Sequence, residues 1–392
     1  SMREHQKYFP VVDDSGSLMA GFVAVNNTRV HHGEITRKGH ERVLRARLED
    51  ALFFFNSDRQ IPLAERISGL EGIIFQDRLG TMLEKQVRLI KLARLLAEKI
   101  DPRLVDDCCR SAELCKADLL TDMVGEFPSL QGVMGAAYAE GDGENAAVVQ
   151  GIREHYMPKR AGAEIPASDV GAIVGLADRI DTLAGCFGIG QIPSGSADPF
   201  ALRRLSLAIL HIIEGRGYQL SLTEIVAKAL SLYGDKVDGS AAVVEKILTF
   251  IRERFINDAV RRGENPQAVE AAAAVGFDDV VDCRQRMAAL AAIQREEAFT
   301  VLSTSYKRIK NIAGENHETS VDTALFAEPQ EQALYTLYGE VAKEMDALVA
   351  AKEYSAALKV MLKLKAPVDD FFDAVMVMAE DPAIRRNRLN LL

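Results

Sequence analysis

The sequence predicts a mostly α-helical protein with a small β-hairpin near its N-terminus. Hydrophobic residues make up 48% of the 392 residues and charged residues 27%, a composition typical of folded globular proteins. Ala and Leu dominate, Trp is absent and aromatic residues are only 6%, and this mixture favours helix over sheet. Apolar residues recur at helical spacing from Gly39 onwards. The length predicts two or three domains, because it exceeds that of one ordinary core.

The clear β signal is confined to residues 8–27, YFPVVDDSGSLMAGFVAVNN. This stretch predicts two strands around the turn Asp13-Asp14-Ser15-Gly16. A two-stranded hairpin is too small to be stable alone. We therefore expect it to pair with a further segment or to pack on the helices.

Helical segments follow, separated by short loops. HERVLRARLEDALFFF (40–55) predicts a first long helix with an apolar face that includes Val43 and Leu48. Asp101-Pro102 is a helix start signal, and DVGAIVGLADRIDTLAGCF (169–187) predicts a buried helix. Residues 311–332 lack regular spacing, which indicates an interdomain connection before the C-terminal helices.

The segment SGSADPFALRRLSLAILHIIE (194–214) predicts a loop that runs into a buried helix. Asp198 is the expected N-cap and Pro199 the expected first helical residue. On a helix with 100° per residue, Arg204 lies on the side opposite the apolar face and Arg203 lies at the edge of that face. We therefore expect Arg203 to pair internally and Arg204 to face an outside partner.

Charge and cysteine content exclude several classes of protein. The net charge is −10, so nucleic-acid binding would have to use local basic patches. The five cysteines form no CxxC pair and no zinc motif, which predicts reduced, mostly buried thiols in a cytoplasmic protein. No uncharged apolar run is long enough to span a membrane, so no membrane partner is expected.

The sequence shows no self-contained catalytic centre. GxxxxGK[ST] and GxSxG are both absent, and the glycines of GIGQIPSGS lack a preceding strand. Asp118, Asp122 and Glu126 share a predicted helix face, and Asp178 and Asp181 lie on a later helix. A metal site there lacks histidines from the predicted helices of residues 70–125. We therefore expect these acids to cap helices and to pair with neighbours such as Lys116 and Arg179.

Basic clusters are candidate phosphate contacts. One comprises Lys307, Arg308 and Lys310, in SYKRIKNI, and another comprises Arg385, Arg386 and Arg388, in IRRNRLNLL. For any one cluster a solvated surface is the alternative. Several clusters on one acidic chain would suit a long charged ligand such as a folded RNA.

Several strings resemble the beta subunit of the heterotetrameric bacterial glycyl-tRNA synthetase. They are GHERVLRARLEDALFFF (39–55), KADLLTDMVGEFPSLQGVMGAAYA (116–139), REHYMPKRAG (153–162), GLADRIDTL (175–183), GSADPFALRR (195–204), YKRIKNI (306–312) and LKAPVDDFFDAVMVMAEDPAIRRNRLNLL (364–392). Tyr306 stands where the family usually has Asn. The similarity covers nearly the whole chain.

The resemblance implies a function. The family joins glycine to tRNA-Gly with ATP and Mg²⁺ in an alpha2beta2 assembly in the cytoplasm. The alpha subunit carries the adenylation site, and the beta subunit binds and positions the tRNA. No cofactor is therefore expected in this chain, and no catalytic residue of its own. The tRNA contacts expected here are Arg204, Lys307, Arg308, Lys310, Arg385, Arg386 and Arg388.

The resemblance also implies a domain order. Residues 1–38 would be the remnant of a preceding region, and the chain would be shorter than the family at both ends. Residues 39–218 would form a degenerate HD-like helical domain, 219–320 a helical linker and 321–392 a helical-bundle anticodon-binding domain. The His-Asp pair of an active HD site would fall at CKADL (115–119), where Lys116 stands. The alternative functions are a metal-dependent HD-type phosphohydrolase and a helical scaffold that holds the alpha subunit without touching RNA.

Overall fold

A computed structural model describes residues 7–160, 162–195, 197–314, 316 and 318–392 of the protein. The fold is mostly α-helical, as predicted, and begins with a small hairpin. The chain divides into two compact units, Ser1–Ile251 and Arg252–Leu392. The division falls within one long helix, whereas the sequence placed boundaries after residues 38, 218 and 320.

The first unit is built from two strand pairs and a series of helices. Its strands are β1 (Tyr8–Val12), β2 (Leu18–Ala24), β3 (Ile74–Gln76) and β4 (Gly80–Thr81). Its helices are α1 (Gly33–Asp58), α2 (Leu63–Arg66), α3 (Met82–Ile100), α4 (Val105–Leu114), α5 (Asp122–Glu126), α6 (Val133–Gly141), α7 (Ala146–Glu154), α8 (Asp169–Gly188), α9 (Leu202–Arg216), α10 (Leu222–Ser231) and the first half of α11 (Ala241–Arg261).

The predicted hairpin is present, and it packs on a helix. Strands β1 and β2 are antiparallel, and the Asp13 carboxylate accepts hydrogen bonds from the backbone N–H groups of Ser15 and Ser17 in the turn. The Tyr8 hydroxyl lies 2.9 Å from Nδ1 of His40 on α1. The short antiparallel pair β3–β4 was not predicted, since three- and two-residue strands leave no periodic signal.

Helix α1 differs from its prediction. Its apolar positions predicted a core-facing helix, yet Val43 and Leu48 are 44% and 54% exposed. Leu48 lines an open apolar groove of about 1440 Å³ between α1, the hairpin and residues such as Phe127. Periodicity identified the helix, but it could not show whether other elements cover the apolar side.

Helix α8 is the centre of the first unit. The sequence predicted it to be buried, and nearly all of its residues are, including Ile173 and Leu176 with no exposed surface. Helices α3, α4, α7, α9 and α10 pack around it. Burial of one such aliphatic side chain contributes about 1.5–3 kcal/mol. The all-round apolar character of α8 follows from this position.

The second unit is a set of helices with its own core. It contains the second half of α11, then α12 (Pro266–Val275), α13 (Val280–Ile293), α14 (Glu297–Ala313), α15 (Pro329–Ala350), α16 (Tyr354–Met361), α17 (Lys365–Ala374) and α18 (Pro382–Leu391). A buried cluster joins Leu334, Val368, Phe371, Val375 and Val377. Ile309 and Ile312 of α14 pack against this cluster, so α14 belongs to the C-terminal bundle and not to a separate linker.

Local sequence signals set many helix starts. Thr81 and Glu84 form a capping box at the start of α3, and Asp381 caps α18 ahead of Pro382. Asp101-Pro102 does cap a helical turn, as predicted. That turn is a short 3₁₀ segment over Pro102–Leu104, and α4 follows it directly.

Candidate nucleic-acid interface

Helix α14 presents the first predicted basic cluster to solvent. Lys307, Arg308 and Lys310 are exposed, while Ile309 and Ile312 face the core. Within the described part of the chain, neither lysine has an ion-pair partner. Both ammonium groups are thus available to a phosphate.

Arg308 differs from the two lysines because it contacts a ring. Its guanidinium carbon lies 4.1 Å from the centroid of the Phe372 ring on α17. This cation–π contact fixes the side chain along the bundle surface. The planar guanidinium keeps its N–H donors at its edge, so Arg308 is a pre-positioned donor for an external oxygen.

The three arginines of the second predicted cluster differ in exposure. Arg386 is exposed and Arg385 is half-buried, but Arg388 is buried. Arg388 donates from Nε and Nη2 to the Glu331 carboxylate at 2.9 and 3.2 Å, and from Nη1 to the Met376 carbonyl at 2.8 Å. Arg388 was predicted to contact RNA, but the structure places its guanidinium inside the bundle, where Glu331 and the Met376 carbonyl engage it.

Glu331 is the other half of this buried pair. It also accepts hydrogen bonds from the backbone N–H groups of Ala327 and Glu328, each at 2.8 Å. Burial alone would raise the pKa of Glu331, but Arg388 and these backbone donors outweigh it and hold the pKa below its ordinary value. The ionised pair ties the first turn of α15 to α18.

Helix α9 separates its two arginines as predicted. Arg203 donates to the Gly195 carbonyl at 2.9 Å and lies 4.0 Å from the Asp198 carboxylate, whereas Arg204 is exposed. The helix begins later than predicted, at Leu202, after Ala201 in a left-handed conformation. Asp198 still caps it, because its two oxygens accept the Leu202 and Arg203 N–H groups at 2.7 and 3.0 Å.

A buried ionic cluster lies where the HD resemblance implied a lost metal site. Lys116 Nζ is 2.7 Å from Asp178 Oδ2 and 3.2 Å from His155 Nε2. Lys85 Nζ lies 2.9 Å from the other Asp178 oxygen. The lysines hold the pKa of Asp178 well below its ordinary value, although burial alone would raise it.

The two ring nitrogens of His155 have different roles: Nδ1 donates a hydrogen bond and Nε2 accepts one. Its Nδ1 is 2.6 Å from the Ile152 carbonyl, which requires a proton on Nδ1 and leaves Nε2 to accept from Lys116. Burial and then Lys116 lower the pKa of His155 well below its ordinary value. The imidazole is thus neutral and faces an ammonium group of the protein itself.

This arrangement does not favour the metal-dependent phosphohydrolase. His155 and Asp178 both contact Lys116, which sequence spacing had not shown, so an ammonium group of the protein lies between them. No group of three or more His, Cys, Asp or Glu residues in the described ranges could hold a metal ion. The expected pairing with Arg179 is wrong, since Arg179 donates to the carbonyls of His155, Gly175 and Met157.

Asp118 confirms the expected capping role. Its Oδ2 accepts hydrogen bonds from Gly132 N and Gly135 N, at 2.7 and 3.2 Å, at the start of α6. Burial raises the pKa of Asp118 above its ordinary value. The cysteines also match expectation: Cys108, Cys115, Cys186 and Cys283 are buried and Cys109 is half-buried.

A comparison with known families identifies the class of the C-terminal part of the second unit. A family profile described as "DALR anticodon binding domain" matches residues 302–392. That range covers α15–α18 and the C-terminal two thirds of α14, including both basic clusters. Residues 302–392 thus form a domain of the DALR anticodon-binding class, and it begins before the predicted residue 321.

The whole chain can then be assigned. A profile described as "Glycyl-tRNA synthetase beta subunit" matches residues 1–274. The protein belongs to the glycyl-tRNA synthetase beta subunit family, as its sequence motifs had indicated.

Curated relatives support this assignment. The "Glycine--tRNA ligase beta subunit" of Geobacter sulfurreducens is 49% identical over 97% of this chain and 55% of its own length. The proteins of that name from Geobacter metallireducens and Syntrophotalea carbinolica are 47% and 46% identical over 100% of this chain and 57% of their length. The chain thus spans little more than half the length of these relatives. Among its described residues, no helix has the length and apolar character needed to cross a membrane.

Sequence reasoning missed the partner of Arg388. Glu331 follows Glu328-Pro329, and this spacing is a recognisable capping box. Nothing in the sequence links it to an arginine 57 residues away. The Glu331–Arg388 pair exists only because α15 and α18 pack together.

Proposed function

We propose that this chain is the tRNA-binding part of the beta subunit of a glycine–tRNA ligase. The single observation that carries the proposal is the anticodon-binding domain at residues 302–392, which presents outward cations on two of its helices. Lys307 and Lys310 lie on α14 and Arg386 on α18. These groups would bind phosphates, and the buried Glu331–Arg388 pair would hold α18, which carries Arg386, against α15.

The charge distribution supports a local, oriented contact. The chain carries a net charge of −10, so its overall field repels nucleic acid. Exposed cations on the C-terminal bundle overcome that repulsion only near their own surface, since charges are screened beyond about 10 Å at 0.1 M salt. The domain would therefore hold one arm of tRNA-Gly and leave the other arm to its partner.

The catalytic step belongs to a different chain in this proposal. The alpha subunit would carry the adenylation site and use ATP and Mg²⁺, in an alpha2beta2 assembly in the cytoplasm. This chain would need no cofactor. Its Lys116, His155 and Asp178 would stabilise the first unit through the buried ionic cluster and would not take part in chemistry.

Salt-dependent binding of tRNA-Gly tests the proposal. The Lys307→Ala/Lys310→Ala variant removes two phosphate contacts, so the slope of log affinity against log salt should fall by about 1.5–2. The control is Lys91→Ala/Lys246→Ala, which removes two exposed lysines outside the domain and conserves the net-charge change. An unchanged slope and affinity in the first variant would refute the interface. Binding to the alpha subunit without any tRNA binding would favour the scaffold alternative.

A further inference from the structure

Large apolar side chains stand exposed beside the Glu331–Arg388 pair. Tyr335, Tyr338 and Met376 are 38%, 58% and 73% exposed. Exposed groups of this kind, when they are contiguous, mark surfaces that bind a partner. The bundle core does not need them, because Leu334 and Val375 already fill it from the same segments.

Arg388 joins the two segments that carry these side chains. Arg388 bonds to Glu331, on the first turn of α15, and to the carbonyl of Met376, in the segment after α17. One guanidinium therefore spans the gap between α15 and that segment. In residues 375–377 the two valines are buried and the methionine between them points outward, as in an extended strand.

The helix geometry of α15 places both tyrosines on the same side. At 100° per residue, Tyr335 lies about 40° and Tyr338 about 20° from the direction of Glu331, on either side of it. Both tyrosines therefore lie on the side of α15 that carries Glu331, further towards the C-terminal end of the helix. The Phe326 ring packs edge-on against the Tyr335 ring, with centroids 5.8 Å apart, and this contact restrains the Tyr335 side chain. Tyr335, Tyr338 and Met376 together are called the tyrosine platform.

Helix α18, which contacts both platform segments through Arg388, carries two further arginines. Arg385 lies one helical turn before Arg388 on α18, and Arg386 follows it on the exposed side. In the part of the chain that the structure describes, neither has an ion-pair partner. Flat apolar rings beside unpaired guanidinium groups match unstacked nucleobases joined by phosphates. Tyr, Met and Arg are also enriched at protein–protein interfaces, so tRNA affinity that is unchanged by loss of the rings would point to a protein partner instead.

We propose that the tyrosine platform stacks against unpaired bases of the tRNA anticodon loop, and that Arg385 binds the phosphate between them. The inference rests on the proposed function and deepens it, because it names the residues that meet bases and separates them from those that meet only the backbone. Lys307 and Lys310 supply salt-dependent attraction, and the tyrosine platform distinguishes an open loop from a duplex.

The test uses the full chain and two RNAs, tRNA-Gly and the same tRNA with abasic residues at the anticodon. Tyr335→Leu/Tyr338→Leu keeps apolar volume and helix propensity but removes the rings, while Tyr335→Phe/Tyr338→Phe keeps them. Val349→Ala, an exposed position at the far end of α15, is the control. The Leu variant should bind intact tRNA about tenfold or more weakly, with an unchanged salt slope. The Phe variant and the control should bind normally.

The abasic tRNA completes the comparison. It should bind the wild-type chain about tenfold or more weakly, and the Leu variant should show no further loss on it. Equal binding of intact tRNA by wild type and Leu variant would overturn the tyrosine platform while the salt-slope result for Lys307 and Lys310 still stood. An equal abasic penalty in both proteins would do the same. Failure of the wild-type chain to bind tRNA would refute the proposed function itself.

A folding control keeps the result interpretable. The helical signal of the Leu variant should equal that of the wild type. If it fell, Tyr338→Leu alone, at a position 58% exposed, would replace the double variant in the same comparison. Wild-type affinity of that folded single variant for both RNAs would equally overturn the proposal.

Discussion

Replacing Arg388 by Leu should strongly destabilise the C-terminal bundle. Glu331 has no exposed surface, and Arg388 supplies two of the four hydrogen bonds to its carboxylate. Without Arg388 the buried charge keeps only two backbone donors, and the Met376 carbonyl loses its partner. Removal of one member of a buried ion pair costs about 3–5 kcal/mol, and we expect a loss in that range.

Hydrogen exchange is the appropriate assay because it reports the opening of individual helices, so the bundle is measured apart from the first unit. Protection factors in α15 and α18 report the opening free energy of the bundle itself. The Arg386→Leu variant is the matched control, since it changes an exposed arginine on the same helix and should cost under about 0.5 kcal/mol. The double variant Glu331→Leu/Arg388→Leu removes both charges and should be less destabilised than Arg388→Leu alone.

Two results would contradict this reasoning. A loss below about 1 kcal/mol in Arg388→Leu would mean that Glu331 is solvated or protonated in the fold. A double variant whose destabilisation equals the sum of those of Arg388→Leu and of Glu331→Leu measured alone would mean that the residues do not interact. Either outcome would also remove the support that the pair gives to the tyrosine platform.

Two further predictions concern the first unit. The fold keeps His155 neutral, with a pKa well below 6.5, while the unfolded chain binds a proton near that value. The contribution of the neutral His155 to the free energy of unfolding is therefore fully present above about pH 6.5. It decreases as the pH falls from that value towards the lowered pKa of the folded state. Thermal midpoints at pH 7.5 and 5 should show a smaller pH effect in His155→Gln than in wild type, and equal effects would be inconsistent with a buried neutral imidazole. Asp198→Ala removes two hydrogen bonds at the start of α9, so the free energy of unfolding, measured in urea, should fall by about 0.5–2 kcal/mol. Arg204→Ala changes an exposed side chain and should lower it by less than about 0.5 kcal/mol. A larger loss in Arg204→Ala than in Asp198→Ala would contradict the roles assigned to these residues.

Much of the secondary structure was predictable because its causes are local. The turn at Asp13 and the cap at Asp381 depend on side chains that bond to nearby backbone groups. The buried nature of α8 followed from its all-round apolar sequence. The start of α9 was misplaced by three residues because Asp198 caps it from a loop outside the helix.

The candidate site was only partly predictable. Lys307 and Lys310 were selected as members of a local basic cluster, and the structure shows both side chains exposed. Arg388 carries the same local signal as Arg386, and only the packing of α18 on α15 separates them. Helix α1 shows the converse: its apolar residues have the spacing of a core-facing side, but no other element of the described chain covers Val43 and Leu48, which remain exposed.

The sequence by itself determined the helices, the family and the absence of a recognisable catalytic motif, since these depend on residue order over short ranges. Only the tertiary structure decided which charges are available to a ligand. It placed Lys116 between His155 and Asp178, and it buried Arg388 against Glu331. The physical reason is that a charge's role depends on its distance to other charges and to water. Packing brings these groups together across tens of residues and sets those distances.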